Sequence, residues 1–316
     1  MFTALTLLVY KKLFGARCDG NPQLKYFTAD DFPNLQAEAV EFEGDKGQML
    51  RGNLYSSVNT KEPKGLVVFS HGMWGGHLSY TTEINTFAEA GYTVLGYDNT
   101  GTMASDGDNL VCFTHAMYDL QCALEFVESN HDLDGLDIIL AGHSWGAYTV
   151  MMGSAFLYDR VKGTVAISGP NSPIDLFQGF LTMVLPKQLH GLIKLAKPGV
   201  KLALRLTDGK ASRYCCADTM MDAEAPILIL HGDQDTTVPL SASPVSDELL
   251  EDAGHIYYYC CEGKNHNPYQ TIRSEAHLAD KVLGMKYDEI DYDLVTEEDP
   301  EVMKVILQFM DACLEG

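Results

Sequence analysis

The amino-acid sequence predicts an α/β protein: an eight-stranded, mostly parallel sheet flanked by helices, with a helical cap inserted after the sixth strand. Three observations support this fold class. Six short, unbroken apolar runs are typical of strands covered on both faces. Amphipathic helical patterns lie between several of these runs. Two further strand-like segments, separated by turn residues, precede them. Strands that alternate with helices favour a sheet built with right-handed crossovers.

Length and composition narrow the class of protein. The chain has 316 residues, which suits about two domains or one large α/β domain. Its 46% hydrophobic content provides enough apolar side chains for a core, which excludes disorder for most of the chain. The net charge of −22 repels phosphate backbones and argues against a nucleic-acid partner. Eight cysteines without zinc-type spacing favour free thiols in a reducing compartment, and we therefore expect a cytoplasmic protein.

The N-terminus is apolar over its first ten residues and continues with Lys11 and Lys12. It lacks the positive start and the cleavage site of a signal peptide, and it is too short to span a bilayer. We expect residues 1–35 to form a helical N-terminal extension. This extension would either pack on the body of the protein, which is the favoured interpretation, or contact a membrane surface.

Most of the remaining chain is predicted to form the α/β core, over residues 36–172 and 223–316. The first two strands, 37–43 and 48–55, flank Gly-Asp-Lys-Gly, whose residues are typical of a hairpin turn. Helical spacing of apolar residues follows several of the later strands, and one such helix begins near Pro300. The six apolar runs that complete the eight strands are 66–69, 93–97, 138–141, 164–167, 227–230 and 256–260.

The cap is assigned to residues 173–222, where no strand pattern occurs and a helix break is expected at Pro198 and Gly199. Seven basic residues against two acidic ones make residues 173–213 positive. This segment is either a solvated face that pairs with the acidic body or an amphipathic lid that touches anionic lipid. A basic stripe would consist of Lys187, His190, Lys194, Lys197 and Lys201. The apolar residues that would line an apolar pocket, or simply pack the cap, are Phe177, Phe180, Leu181, Met183 and Val184.

The first motif with chemical meaning is Gly-His-Ser-Trp-Gly at 142–146. It follows an apolar strand and precedes a helical pattern, as a nucleophile elbow requires. The flanking glycines allow the strand and helix to approach closely. The N-terminus of the helix favours negative charge that develops at Ser144. Ser144 is therefore a candidate nucleophile.

The second motif is the glycine-rich loop His-Gly-Met-Trp-Gly-Gly at 71–76, directly after the third strand. Acyl transfer generates an oxyanion, which two backbone N–H donors can stabilise. We assign these donors to Met73 and Trp145. The alternative is a tight turn between strand and helix without a catalytic role.

Two further motifs follow the last two strands: His-Gly-Asp-Gln-Asp-Thr-Thr-Val-Pro at 231–239 and Gly-Lys-Asn-His at 263–266. With all four motifs in this order, residues 37–316 resemble the α/β-hydrolase superfamily, in its serine-aminopeptidase-like and monoacylglycerol-lipase-like branch. One departure is Asn99-Thr100, which stands where many relatives carry an arginine early in the loop after the fourth strand.

The resemblance implies that Ser144 is the nucleophile, Asp235 the orienting acid and His266 the general base. Asp235 matches the family position because it lies three residues before Val238-Pro239. Asp233 is the alternative acid, although in such a loop it more often ties down the turn. His71 and His231, which lie at strand ends, are expected to bond loop backbone.

The implied function is a serine hydrolase, carboxylesterase or lipase-like, that cleaves small-molecule carboxylic esters through an acyl-enzyme. No cofactor and no metal is predicted, and the oligomeric state stays open. A serine aminopeptidase or amidase is the alternative; it would need an acidic anchor for the substrate amine, and residues 173–213 contain no Glu. A non-catalytic binding module on a hydrolase scaffold is a further alternative, disfavoured because all three triad residues are present.

Overall fold

The sheet of the protein contains eight strands, in a computed structural model that describes residues 2–156, 158–184, 193–250 and 253–315. The strands are β1 (Leu35–Glu43), β2 (Met49–Ser57), β3 (Leu66–Ser70), β4 (Thr93–Tyr97), β5 (Ile138–His143), β6 (Val161–Ile167), β7 (Ile227–Gly232) and β8 (Ile256–Cys261). Their order across the sheet is β1-β2-β4-β3-β5-β6-β7-β8.

The strand directions confirm the predicted fold class. β1 and β2 form an antiparallel hairpin, and β2 pairs antiparallel with β4. All pairs from β4 to β8 are parallel. Parallel strands carry their carboxyl ends at one edge of the sheet, so the loops that follow β3, β5, β7 and β8 meet there.

Helices cover both faces of the sheet. The helices are α1 (Phe2–Phe14), α2 (Thr81–Glu89), α3 (Ala116–Ser129), α4 (Trp145–Gly153), α5 (Pro173–Val184), α6 (Ile193–Thr207), α7 (Cys216–Met220), α8 (Ile272–Leu283), α9 (Tyr292–Val295) and α10 (Pro300–Glu315). Alternate strand residues face opposite layers. Val68 and Leu140 pack in a core with α3 and α4, whereas Val67 and Ile139 pack in a second core with α2 and α10.

The segment between β6 and β7 carries α5, α6 and α7, and the N-terminal helix α1 packs against α6. The Tyr10 hydroxyl donates to the Asp208 carboxylate, and its ring stacks on Phe177 with centroids 5.5 Å apart. Phe14 lies edge-on to Trp145 at 6.4 Å. The N-terminal helix therefore joins the inserted helices to the start of α4.

The expected helix break at Pro198 is wrong, because α6 runs through it. Proline removes one backbone hydrogen bond from a helix, but Ala196, Val200 and Leu204 are all buried on the inner face of α6 and hold the helix in place.

Of the predicted basic stripe, Lys197 and Lys201 are exposed. Lys187 and His190 of the predicted basic stripe lie outside the described residues, as do the side chains of Lys194, Phe180, Leu181, Met183 and Val184. Phe177 packs in the core under Tyr10.

Across the described part of the chain, no helix has both the length and the apolar character that crossing a bilayer requires.

Candidate active site

The nucleophile elbow is the turn from β5 into α4. Ser144 has φ 56° and ψ −113°, a left-handed backbone conformation that strains a residue with a side chain. A Cβ at Gly146 would collide with the carbonyl oxygen of Ser70, and one at Gly142 would collide with the carbonyl oxygen of Gly146. The two glycines are therefore required by close backbone approach, which presents Ser144 at the carboxyl edge of the sheet.

The three predicted triad residues come together at this edge. The Nε2 atom of His266 lies 2.9 Å from the Oγ atom of Ser144. The Nδ1 atom of the same ring lies 2.8 Å from Oδ2 of Asp235. These residues follow β5, β7 and β8, so the order of the strands in the sheet is what brings them within hydrogen-bond reach.

Asp235 is held as a carboxylate. Its Oδ1 atom accepts the backbone N–H groups of Thr237 and Val238, each at 2.8 Å. Burial alone would raise the pKa of Asp235, but hydrogen bonds from His231 and His266 outweigh burial and hold that pKa well below its ordinary value. A carboxylate only accepts, so Nδ1 of His266 must donate to it. In the neutral ring, Nε2 is then free to accept the Ser144 proton.

The neighbouring residues Asp233 and His231 have other partners. Asp233 accepts the backbone N–H of Gly263 at 2.7 Å and so ties the loop after β7 to the loop after β8. His231 donates from Nε2 to the carbonyl of Val238 at 2.8 Å, and the same atom lies 3.3 Å from Asp235. His231 is fully buried, and it therefore fixes the position of the Asp235 carboxylate from below.

The loop after β3 lies directly beside the nucleophile. A Cβ at Gly72 would sit 3.4 Å from the Cβ of Ser144. The Nδ1–H group of His71 donates to the carbonyl of Gly72 at 2.7 Å, while its Nε2 atom accepts the backbone N–H of Asn99 at 3.0 Å. In a trans peptide the C=O and the following N–H point in opposite directions. The N–H of Met73 is therefore turned away from His71.

Trp145 contributes the other predicted donor. It is the first residue of α4, and the N–H groups of a first helical turn lack partners within the helix. The indole Nε1–H of Trp145 donates to the carbonyl of Phe113 at 2.6 Å. This bond fixes the side chain and leaves the backbone N–H next to Ser144.

Sequence reasoning missed a hydrogen-bonded chain that runs under the site. The backbone N–H of Gly72 donates to the Tyr80 oxygen at 3.0 Å, and Tyr80 lies 2.8 Å from Nδ1 of His143. Nε2 of His143 lies 2.8 Å from the carbonyl of His266. Burial lowers the pKa of His143 to about 3, so the ring is neutral. Because a carbonyl only accepts, Nε2 donates its hydrogen to the His266 carbonyl. Nδ1 then accepts a hydrogen bond from the Tyr80 hydroxyl.

This chain connects the glycine-rich loop, the residue before the nucleophile and the backbone of His266. No periodicity or motif marks Tyr80, which lies in the turn before α2, so the sequence alone offers no signal for its role. His143 is part of the serine motif, but its partners become visible only in the fold.

A cavity of about 200 Å³ opens beside Gly72 and Met73. Residues 24–27, which precede the first strand, form one wall, and residues 292–296 form another. Most of its lining is apolar or aromatic, but the buried carboxyl of Glu83 also lies there. The apolar and aromatic side chains include Leu24, Tyr26, Phe27, Trp74, Leu78, Tyr80, Leu278, Tyr292 and Val295. The contribution of residues 24–27 was not predicted from the sequence.

A known family matches part of the chain. The model of the family described as serine aminopeptidase, S33, matches residues 61–219, which is half of the chain. That range includes the loop after β3 and the nucleophile elbow, and it ends before Asp235 and His266. Among curated proteins, none matches the chain.

Solved structures share the fold at low identity. The esterase Pf2001 of Pyrococcus furiosus is 17% identical, with 85% of this chain and 96% of that chain covered and a TM-score of 0.62. The α/β hydrolase GrgF of Penicillium sp. sh18 is 18% identical, with coverages of 80% and 97% and a TM-score of 0.54. An acylaminoacyl peptidase of Pyrococcus horikoshii is 16% identical, with coverages of 75% and 39% and a TM-score of 0.54. These similarities establish the fold.

Proposed function

The chain belongs to the serine aminopeptidase S33 family of α/β-hydrolases, and from this premise we propose that it cleaves carboxylic esters through an acyl-enzyme intermediate. The observation that carries the proposal is the continuous contact from Asp235 through His266 to Ser144, at 2.8 and 2.9 Å. A serine hydroxyl becomes a useful nucleophile only when a base within this distance takes its proton.

In the first half of the reaction, Oγ of Ser144 attacks the ester carbonyl carbon while Nε2 of His266 takes the hydroxyl proton. The carbonyl oxygen becomes an oxyanion next to the backbone N–H groups of Met73 and Trp145, which stabilise its charge. The ionised Asp235 stabilises the imidazolium that forms. When the tetrahedral intermediate collapses, the C–O bond to the alcohol breaks, and His266 returns the proton to the leaving alkoxide.

In the second half, His266 takes a proton from a water molecule, and the resulting hydroxide attacks the acyl carbon. The same two N–H groups stabilise the second oxyanion. The bond between Oγ and the acyl carbon then breaks, Ser144 regains a proton from His266, and the carboxylic acid leaves. The chain's own side chains thus account for every proton transfer in the cycle.

The cavity beside the glycine-rich loop supports small or medium acyl groups. Its volume of about 200 Å³ is below the roughly 300–1,000 Å³ of pockets that hold drug-sized ligands. Its lining is largely apolar, which suits a hydrocarbon group, and it includes Gly72, where an added Cβ would lie 3.4 Å from the Cβ of Ser144. We therefore propose that short acyl esters are turned over faster than long-chain ones.

A second candidate function is a serine aminopeptidase or amidase. One structural observation favours it: Glu83, a residue that is only 6% exposed, lines the same cavity as Gly72 and Met73. An ionised carboxyl at this place could bind a substrate amine. Burial, followed by the charge of Glu298, raises the pKa of Glu83 and favours the neutral acid, which weakens this candidate relative to the ester.

The test is a series of p-nitrophenyl esters from acetate to dodecanoate, with the matched aminoacyl p-nitroanilides. We expect the highest kcat/KM for short acyl esters, and the turnover of anilides at least a hundredfold lower. Ser144→Ala should remove ester turnover and labelling by a fluorophosphonate. Turnover that persists in Ser144→Ala would refute the proposal, whereas a preference for anilides would move it to the second candidate.

A further inference from the structure

A second group of metal-ligating side chains lies away from the proposed active site. Asp45, His115 and Asp119 each offer one ligand atom, and these three atoms lie within 4.8 Å of one another. Asp45 belongs to the turn between β1 and β2. His115 ends the short 3-10 turn before α3, and Asp119 lies in the first turn of α3. The function proposed above makes no use of these residues.

The imidazole of His115 provides the observation that points to a ligand. His115 is 3% exposed, and its Nε2 atom has no hydrogen-bond partner although it faces the two carboxylates. Nε2 lies 3.4 Å from Oδ1 of Asp45 and 3.7 Å from Oδ1 of Asp119. A buried ring nitrogen without a partner is unfavourable, and a cation placed between it and the two oxygens would satisfy all three atoms.

The two separations from Nε2 of His115 fit a transition metal. In a tetrahedral site, bonds of about 2.0–2.2 Å to nitrogen and oxygen put neighbouring ligand atoms about 3.3–3.6 Å apart. The observed separations of 3.4 and 3.7 Å are close to these values. Calcium would need roughly six to eight oxygen ligands at longer distances. Imidazole among the ligands also favours zinc over calcium or magnesium.

Neighbouring residues hold the ligands in place. The backbone N–H and the hydroxyl of Thr100 donate to the two oxygens of Asp119 at 2.8 and 2.7 Å. The amide of Gln48 donates to Oδ1 of Asp45 at 3.2 Å and to the Thr100 hydroxyl at 2.9 Å. Hydrogen bonds of this kind orient the carboxylates of metal sites and tune their affinity. Thr100 is one of the two residues at which the loop after β4 departs from the family pattern.

We propose that Asp45, His115 and Asp119 bind one divalent transition-metal ion of the Zn²⁺ type, with a water molecule as the fourth ligand. The side chain of Asp45 is 28% exposed, which gives the ion a path from solvent. The bound ion ties the β1–β2 turn to the start of α3.

The proposed ion has a structural role. The segment that carries His115 also contains Phe113, whose carbonyl receives the indole N–H of Trp145. The ion joins Asp45 to His115 and Asp119, which lie 70 or more residues further along the chain. Because an unfolded chain has no preformed site, binding of the ion stabilises the folded state.

The experiment starts with protein that has been dialysed against a chelator and then titrated with Zn²⁺, Mg²⁺ or Ca²⁺. Calorimetry should give one Zn²⁺ per chain, and the unfolding midpoint should rise by about 5 °C at a hundredfold excess over Kd. Asp45→Asn should weaken Zn²⁺ binding at least tenfold and remove the rise in the midpoint. Asp45 lies on a partly exposed turn, so this variant can be tested in the folded state even if a change at His115 impairs folding.

Asp134→Asn is the matched control. Asp134 pairs with His131 at 3.3 Å, and both side chains are exposed, so it reports on zinc held loosely at a surface histidine and aspartate. Its Zn²⁺ affinity should equal that of the native chain. The proposal is overturned if native protein binds no Zn²⁺, if Asp45→Asn binds it unchanged, or if Ca²⁺ or Mg²⁺ binds more tightly than Zn²⁺.

Discussion

The proposed triad and the cluster of Asp45, His115 and Asp119 both combine imidazole with carboxylate, and they differ in what the Nε2 atom of the imidazole faces. In the proposed triad, Nδ1 of His266 faces a carboxylate and Nε2 faces a hydroxyl. In the second cluster, Nε2 of His115 faces two carboxylate oxygens and makes no hydrogen bond. The side chains are of the same kinds, but their arrangement differs.

The difference shows how arrangement selects the chemistry. A hydroxyl placed against the ring nitrogen is a proton donor, so His266 is suited to act as a base. Two carboxylates placed against a ring nitrogen supply three electron-pair donors when all three groups are deprotonated, which suits a cation. The same residue types therefore favour proton transfer at one site and metal coordination at the other.

The most severe test of this comparison is Asp235→Asn. An asparagine side chain can donate to Nδ1 of His266, which would then put the ring proton on Nε2 and prevent it from accepting the Ser144 proton. We expect kcat for a short acyl ester to fall about 10⁴-fold. The measurement is steady-state kinetics, with circular dichroism to verify that the variant is folded.

The control for this variant is Asp134→Asn, which makes the same change at the exposed pair with His131. Its kcat should match that of the native enzyme. If folded Asp235→Asn retained more than about a tenth of native kcat, the carboxylate would not orient the base, and the contrast between the two clusters would lose its basis.

Tyr80→Phe tests whether the triad depends on the hydrogen-bonded chain beneath it. The variant removes the acceptor for the N–H of Gly72 and the donor to Nδ1 of His143. We expect kcat to fall about tenfold, or roughly 1.4 kcal/mol in activation free energy, because the glycine-rich loop and the His266 backbone lose a shared support. KM should change less than twofold, since phenylalanine keeps the aromatic ring that lines the cavity.

The matched variant Tyr257→Phe removes a hydroxyl from a tyrosine that is 52% exposed on β8, and it should leave both constants unchanged. A lower unfolding midpoint for Tyr80→Phe with native kcat in the folded enzyme would show that Tyr80 supports the fold without positioning the site.

The parts of the structure that the sequence predicted depend on local patterns. The strands were predicted because unbroken apolar runs fit a sheet covered on both faces, and the elbow because the serine motif lies between an apolar strand and a helical pattern. The structure adds that its glycines are required by close backbone approach at Ser70 and Gly146. The resemblance to the α/β-hydrolase superfamily, which four motifs in order carry, implied Ser144, Asp235 and His266 together. For each of these, a few adjacent residues carry the physical constraint.

The parts that it did not predict depend on contacts between distant segments. Tyr80 and His143 are 63 residues apart, and Asp45 and His115 are 70 apart. No local pattern relates such residues, so the order of strands in the sheet must be known first. The continuation of α6 through Pro198 has a similar cause, because burial of its inner face outweighs the local preference of proline.

A third cluster sharpens the comparison because it has carboxyls without an imidazole. Burial, and then the charge of Glu298, raises the pKa of Glu83, and burial raises the pKa of Glu298. The folded chain therefore retains protons that the unfolded chain releases as the pH rises above about 4.3. The free energy of unfolding must therefore fall as the pH rises from about 4.3 to the raised pKa values of the folded protein. Glu83→Gln removes the ionisation, so its stability relative to the native chain should increase between pH 5 and pH 8 by at least about 1 kcal/mol, roughly the value of a shift of one pKa unit.

Urea unfolding of both proteins at the two pH values measures this difference, with Glu89→Gln on the exposed side of α2 as the control for a simple loss of charge. An unchanged or decreasing difference would mean that the Glu83 carboxyl is ionised in the folded protein at neutral pH. In that case it would be a suitable partner for a substrate amine in the cavity beside Met73, and the aminopeptidase candidate would gain the anchor that residues 173–213 do not supply.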